Sequence, residues 1–302
     1  MSLTYEILKR AVKLSGLKKS MEMDSSEIIE VMNRRNAKNR IPDLKDQDFD
    51  IERILCDGYP VVVMKHKEKT EKACLFLIGG GMVKWPNPAS LKKALRIAKE
   101  TGLDLYVPYY PLCTKNPVSR SFAMIAETYR TMLEEYDSSN ITLFGTSSGG
   151  CLALGLIAYL NAMHMDLARP AQILAISPGT CPVSKEEKQR MAELDEKDVI
   201  IPAKYMITAE EIMKHGTKVP GYMLHLQEGD FTDCPRVTFM YGSDEVLYAI
   251  APSFEKTMQK YGVNYRMIIG EGMFHCYPVF PVCPEAKAGW DQMIRILKGE
   301  EV

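Results

Sequence analysis

The sequence lacks the features that mark several broad classes of protein. Its 302 residues carry a formal net charge of −1, which gives no electrostatic reason to expect nucleic acid or an anionic membrane surface as a partner. No uninterrupted apolar run approaches the ~18 residues that a membrane span requires, so membrane insertion is not expected. The phosphate-binding patterns G-x-x-x-x-G-K-[ST] and G-x-G-x-x-G are also missing, which disfavours a nucleotide site.

Cysteine is present, but not in a pattern that indicates disulfides or metal binding. The eight cysteines are scattered without a C-x-x-C pair, and Cys74 and Cys151 lie in apolar stretches. We therefore expect buried free thiols, no metal and no cofactor. The lysine-rich first residues lack the apolar core of a signal peptide. These features predict a cytoplasmic location, and they are compatible with a homo-oligomer.

What the sequence does contain is a regular alternation of strand and helix patterns. Two strands, near Ile51–Cys56 and Tyr59–Lys65, are separated by the hairpin signal Asp57-Gly58. The apolar run Ala73–Ile78 is typical of a strand buried on both faces, and helices and strands then alternate up to a last helix near Pro284–Leu297. The pattern predicts the α/β class, with a mostly parallel central sheet flanked by helices and opened by an antiparallel hairpin.

Two regions stand outside this alternation. The first contains two helices, and the second of them begins at a capping pattern, Asp24-Ser25-Ser26-Glu27. The second region, residues 179–233, has charged helical stretches, Lys185–Asp195 and Thr208–His215, but no strand pattern. A connection of this length between two strands is unusual unless it is functional. We predict that both regions form a helical cap over the carboxyl edge of the sheet. The predicted division is 1–45 and 179–233 for the cap, and 46–178 with 234–302 for the core.

The segment Asn140–Leu160 carries the strongest chemical signal. An apolar strand pattern ends in Gly145-Thr146-Ser147-Ser148-Gly149, a G-x-S-x-G frame, and a helical pattern starts at once. In a nucleophile elbow such a turn holds the serine in a strained conformation, so that its hydroxyl stands clear of the sheet edge. The N-terminus of the helix directs unpaired N–H groups at negative charge that develops beside the serine. The frame predicts Ser147 as a nucleophile.

A serine that transfers acyl groups needs a base to take its proton and an acid to orient that base. His275 is the expected base, because it alone among the five histidines follows a core strand on a glycine-rich loop. Asp244 and Glu245 lie side by side after the preceding strand, and the pattern does not decide which of them is the acid. The chain order of serine, acid and histidine is that of α/β-hydrolases.

The oxyanion donors are expected to be backbone amides. The N–H of Ser148 lies at the N-terminus of the elbow helix, and Gly80 and Gly81 follow a core strand. Glycine allows the backbone to approach a substrate carbonyl oxygen closely. We therefore predict an oxyanion hole formed by Gly80, Gly81 and Ser148.

These motifs together resemble the hormone-sensitive-lipase-like branch of the α/β-hydrolases, over about residues 50 to 300. Leu77–Met82 resembles the HGGG oxyanion motif of that branch, and Gly145–Gly150 resembles its GDSAGG elbow. Gly272-Met273-x-His275 resembles its G-M-x-H signature, and the segment 179–233 resembles part of its two-part lid.

The resemblance also distinguishes the two acids. In the family the acid lies three residues after a glycine and two before a leucine, and Gly242-x-x-Glu245-x-Leu247 has this spacing. It therefore favours Glu245 over Asp244. The roles that the resemblance implies are Ser147 as nucleophile, His275 as base, Glu245 as orienting acid, and Gly80, Gly81 and Ser148 as oxyanion donors.

The chain also departs from the family pattern, for example where Tyr109-Tyr110-Pro111-Leu112-Cys113 replaces the usual D-Y-R-L-A-P run. Ile78, Thr146 and Cys276 stand where the family has a histidine, an aspartate and a glycine, and none of the three changes removes a chemical role. The resemblance implies a carboxylesterase/lipase-type serine hydrolase that forms an acyl-enzyme on small-molecule esters. The methionine and tyrosine content of the predicted cap favours small or medium acyl groups. The alternatives are an amidase or arylformamidase on the same fold and a hydrolase-like ligand-binding protein.

Overall fold

The apolar runs of the sequence form one central sheet. In the computed structural model, which describes residues 1–16 and 18–300, this sheet has eight strands. Residues 17, 301 and 302, which fall within the predicted cap and core, lie outside the described residues. The strands are β1 (Phe49–Cys56), β2 (Tyr59–His66), β3 (Ala73–Leu77), β4 (Asp104–Pro108), β5 (Ile141–Thr146), β6 (Gln172–Ile176), β7 (Arg236–Gly242) and β8 (Tyr265–Gly270).

The order of the strands is β1-β2-β4-β3-β5-β6-β7-β8. β2 is antiparallel to both β1 and β4, and every other neighbouring pair is parallel. Every residue of β3 and β5 is buried, as expected for strands covered on both faces. The predicted fold class, a mostly parallel sheet opened by an antiparallel hairpin, is confirmed.

Helices cover both faces of the sheet. Their bounds are α1 (Leu3–Leu14), α2 (Ser25–Asn36), α3 (Pro88–Thr101), α4 (Val118–Leu133), α5 (Ser148–Ala162), α6 (Lys185–Asp195), α7 (Ala203–Lys214), α8 (Ala251–Lys260) and α9 (Pro284–Lys298). Side chains of α3 and α9, such as Leu91 and Trp290, build the apolar core on one face. Those of α4, α5 and α8, such as Phe122 and Phe254, build the core on the other.

The two regions outside the alternation contact each other. α2 packs against α7, and the Lys204 ammonium of α7 lies 2.9 Å from the carboxylate of Asp24 at the start of α2. Asp24 and Glu27 form the predicted capping box. These contacts support the cap that we propose for residues 1–45 and 179–233.

One helix of the 179–233 region differs from its predicted bounds. The stretch predicted as Thr208–His215 is helical from Ala203 onward. The Asp195 carboxylate accepts a hydrogen bond from the Ala203 N–H at 2.6 Å, and Pro202 precedes the first turn. The first turn of α7 is therefore stabilised by a carboxylate of α6. The periodicity of the segment itself carries no information about this contact.

The parallel strands bring their carboxyl ends to one edge of the sheet, where ligands of open α/β sheets bind. The loops after β3, β5, β6, β7 and β8 all lie there. No helix within the described ranges combines the length and apolarity needed to cross a membrane.

The elbow depends on a close crossing of α5 over β3. A Cβ atom placed on Gly149 would lie 1.9 Å from the carbonyl oxygen of Leu77, a backbone atom that cannot move without shifting the strand. We expect Gly149→Ala to lower the free energy of unfolding by about 1–3 kcal/mol or more, since overpacking forces backbone displacement. Thermal unfolding measures the change. Gly221→Ala is the matched control, because a Cβ there has nothing within 4 Å, and an equal loss in both variants would contradict the prediction.

Candidate active site

Ser147 occupies a strained turn between β5 and α5. Its backbone has φ 53° and ψ −128°, a conformation that residues other than glycine rarely adopt. The turn is held at both ends, since the Ser147 N–H donates to the carbonyl of Ile176 at 2.8 Å and the Ser147 carbonyl accepts from Gly150 N at 2.9 Å. The sequence therefore folds here as the predicted elbow.

His275 lies between Ser147 and a carboxylate. Its Nε2 is 2.9 Å from Ser147 Oγ, and its Nδ1 is 2.5 Å from Oε2 of Glu245. Glu245 is fully buried and His275 is 5% exposed, so water does not strongly screen the contact between them. The three side chains come from the loops that follow β5, β7 and β8 and form one continuous line of hydrogen bonds.

The second oxygen of the Glu245 carboxylate is also occupied. Oε1 accepts hydrogen bonds from the Ser177 hydroxyl at 2.8 Å and from Gly242 N at 2.9 Å. Ser177 Oγ in turn accepts from the N–H of Cys276 at 3.0 Å. Ser177 thus joins the acid to the residue that follows the histidine, and its side chain holds the loops after β6, β7 and β8 together.

Asp244, the alternative acid, lies elsewhere. Its carboxylate is 2.6 Å from the Lys9 ammonium of α1, and its side chain is 18% exposed. Only Glu245 of the two carboxylates contacts His275 within the part of the chain that the structure describes. The N-terminal helix therefore covers the loop after β7 and pairs with the carboxylate that the histidine does not use.

Two neighbours influence the charge of His275. Burial on its own lowers the pKa of His275, but the adjacent Cys276 and the Glu245 carboxylate outweigh it, and the net pKa lies well above the ordinary value. The Glu245 contact is the firmer cause, because a buried carboxylate stabilises the imidazolium directly. Cys276 Sγ lies 3.4 Å from Nε2, the same atom that contacts Ser147. The site is thus built to accept a proton on His275.

The glycine loop after β3 is tied to the elbow. Gly79 N donates to Thr146 Oγ1 at 3.1 Å, and Gly80 N donates to Ser148 Oγ at 3.0 Å. The hydroxyl of Thr146, which stands where the family has an aspartate, therefore provides the acceptor for this loop. The N–H of Ser148 belongs to the first turn of α5, where N–H groups have no acceptor within the helix.

Two tyrosines hold the carbonyl side of the same loop. Tyr110 donates its hydroxyl hydrogen to the Ile78 carbonyl at 2.9 Å, and Tyr205 of α7 donates to the Gly81 carbonyl at 2.6 Å. Gly81 has φ 62°, so the loop turns in the left-handed region that favours glycine. The loop is fixed without the histidine that the family has at position 78.

Ser147 faces two cavities. A small one of about 50 Å³ is mainly apolar and lies against the cap residues Tyr205, Met206 and Met213. A larger one of about 430 Å³ extends from Ser147 and His275 toward α3. Gly81 borders both cavities.

Some residues of the site have no motif that predicts them. Ser177 and Tyr110 follow β6 and β4, and Tyr205 and Lys93 enter from α7 and α3. A place in the loop after a parallel strand is a usable signal for the first two, since the predicted nucleophile, acid and base all lie in such loops. Nothing in the local sequence marks the other two, because each reaches the site from a helix and not from a loop after a strand.

A family model described as the alpha/beta hydrolase fold matches residues 74–279, more than half of the chain. The chain belongs to the α/β-hydrolase family. The match covers the glycine loop, the elbow, both carboxylates and His275. Among curated proteins, none matches the sequence.

Solved structures share the fold of this α/β-hydrolase at low sequence identity. An esterase from the bacterial hormone-sensitive lipase (HSL) family has TM-score 0.74 and 20% identity, over 91% of this chain and 97% of that chain. The esterase EstE5, in crystals soaked with p-nitrophenyl butyrate, has TM-score 0.80 and 18% identity over 99% of each chain. A hormone-sensitive lipase from a metagenome library has TM-score 0.73 and 17% identity, over 92% of this chain and 98% of that chain. The resemblance to the hormone-sensitive-lipase-like branch is confirmed at the level of fold.

Removal of the Ser177 hydroxyl tests its place in the network. Ser177→Ala leaves the buried Cys276 N–H without its acceptor and takes one donor from the buried Glu245. We expect a loss of about 1–3 kcal/mol in the free energy of unfolding, the cost of leaving buried polar groups unsatisfied. Thermal or urea unfolding measures the loss. Ser139→Ala serves as control, since the Ser139 hydroxyl bonds Asp137 at the surface, and a Ser177 variant as stable as this control would refute the expectation.

Proposed function

We propose that this α/β-hydrolase is a serine carboxylic-ester hydrolase. The observation that carries the proposal is the unbroken line of hydrogen bonds from Ser147 Oγ through both nitrogens of His275 to the buried carboxylate of Glu245. A serine hydroxyl is a weak nucleophile until a base takes its proton, and the base works best when a carboxylate orients it. The family and the esterases among the similar structures agree with this class of enzyme.

In the proposed reaction Ser147 Oγ attacks the ester carbonyl carbon while its proton moves to Nε2 of His275. The imidazolium then gives that proton to the leaving alkoxide oxygen as the carbon–oxygen bond breaks, which leaves an acyl-serine and a free alcohol. A water molecule repeats the sequence and releases the acid. Glu245 remains ionised throughout and stabilises the imidazolium, since it holds Nδ1 at 2.5 Å.

Backbone amides stabilise the oxyanion in this proposal. Ser148 and Gly81 both line the small cavity beside Ser147, and the Ser148 N–H stands at the positive end of α5. Gly80 lines the larger cavity, and its N–H donates to the Ser148 hydroxyl. It joins the oxyanion hole when the developing charge, a stronger acceptor than a hydroxyl, replaces that bond.

The two cavities divide the substrate between them. The leaving oxygen must lie beside His275 to receive its proton, and His275 lines the larger cavity. The alcohol part therefore occupies the larger cavity, and the acyl part occupies the small apolar one. Because that cavity holds only about 50 Å³, we propose short acyl chains as the preferred substrates.

Ser147→Ala tests the nucleophile. We expect kcat for p-nitrophenyl acetate to fall by roughly 10⁴-fold or more, because the acyl-enzyme cannot form. Wild-type protein should also react covalently at Ser147 with a fluorophosphonate probe, detected by mass spectrometry, while the variant should not. A variant that keeps most of its activity, or a wild type that never labels, would show that this serine is not the nucleophile.

The two neighbouring carboxylates provide a matched test of the acid. Glu245→Gln should lower kcat by roughly 10³- to 10⁴-fold, since the amide no longer stabilises the imidazolium. Asp244→Asn removes only a partly exposed ion pair with Lys9, and we expect kcat within about twofold of wild type, because such pairs contribute little. Steady-state kinetics on p-nitrophenyl acetate compares the two, and the reverse order of effects would assign the role to Asp244.

A further inference from the structure

The larger cavity has an unbalanced charge. Arg35, Lys84 and Lys93 line it, and no aspartate or glutamate from the described residues does. Within residues 1–16 and 18–300, none of these three cations has a carboxylate oxygen within the 4.0 Å of an ion pair. Arg35 and Lys84 are exposed at the rim, where water solvates them, but Lys93 is half-buried. The cavity therefore contains a cation that the protein does not neutralise.

Lys93 occupies a position that costs free energy in the unliganded protein. Its Nζ lies 3.7 Å from the centroid of the Phe280 ring, and burial lowers the pKa of Lys93 to about 8, with Cys276 opposing the shift. Removing an ammonium from water without a counter-ion is unfavourable, and a cation–π contact offsets only part of that cost. A structural lysine would gain by extending into solvent, as the exposed Lys92 beside it does.

Lys93 lies on the side of the site that receives the alcohol part of the proposed substrate. Cys276 lines the same cavity as Lys93, and its sulfur is 3.4 Å from Nε2 of His275. Lys93 and His275 line the same cavity, which is the one that receives the alcohol part of the ester. A group on that alcohol, a few bonds from the leaving oxygen, would lie in front of the Lys93 ammonium.

We propose that the enzyme prefers esters whose alcohol part bears a carboxylate, and that Lys93 binds this carboxylate. The inference rests on the proposed esterase function and adds the substrate class. One half-buried ammonium matches one negative charge, and Arg35 and Lys84 at the rim attract such anions into the cavity. The carboxylate supplies the counter-ion that the protein omits. No charged side chain among the described residues lines the small apolar cavity, so the selection acts on the alcohol alone.

Two nearly isosteric acetyl esters test the proposal. 4-Acetoxybenzoate carries a carboxylate on the leaving phenol, and 4-acetoxybenzamide carries a neutral amide in its place. The measured quantity is the ratio of kcat/KM for the anion to that for the amide, at pH 7. We expect this ratio to fall roughly 10- to 100-fold in Lys93→Met relative to wild type, the loss typical of a hydrogen bond to a charged group. Intrinsic reactivity cancels, because the same two esters are compared in each variant.

Control variants separate binding of the carboxylate from a structural effect. Lys93→Arg keeps the positive charge and should retain most of the preference, and Lys92→Met, one residue away on the exposed side of α3, should leave the ratio unchanged. An equal ratio in wild type and Lys93→Met would overturn the inference while the esterase function stands. If wild type hydrolyses neither ester and does not react with the fluorophosphonate probe, the proposed function fails and the inference fails with it.

Discussion

The buried carboxylate of Glu245 is the constraint on which the site depends. A fully buried charge is tolerated only when nearby donors compensate it, and an unpaired one costs several kcal/mol. Three donors reach Glu245: the N–H of Gly242 on its own strand, the hydroxyl of Ser177 after β6, and Nδ1 of His275 after β8. The Glu245 carboxylate therefore holds together the loops after three neighbouring strands. These contacts fix the position of His275 relative to Ser147.

Much of this arrangement could be predicted because each motif directly follows a parallel strand. The glycine loop, the elbow and His275 are local patterns, and a parallel sheet brings its carboxyl ends to one edge. The pattern alone could not separate Asp244 from Glu245, because neighbouring residues in a turn point in different directions. The structure directs Asp244 to Lys9 of α1 and Glu245 to the sheet edge. That choice depends on packing far away in the chain, and only the family spacing anticipated it.

The residues that could not be predicted are those that compensate for departures from the family pattern. With isoleucine at position 78, the carbonyl of that residue accepts the Tyr110 hydroxyl, and Gly79 N donates to Thr146 in place of an aspartate. Tyr205 reaches Gly81 from α7, so the cap itself helps to hold the loop. Each contact is a hydrogen bond between distant segments, and neither strand patterns nor helical periodicity carries information about such pairs. The departures change the partners of the glycine loop and leave its position intact.

The charges of Glu245 and Asp244 are compensated, and this makes the uncompensated charge of Lys93 more informative. Glu245 has its full set of donors, and Asp244 has Lys9. Lys93 lines the same cavity as Cys276 and His275, yet within the described residues its ammonium has the face of Phe280 and no carboxylate. Leaving a half-buried ammonium without a counter-ion contributes nothing to stability. The unpaired ammonium is therefore best explained by the substrate, as a charge that is neutralised only when the alcohol part of the ester is bound.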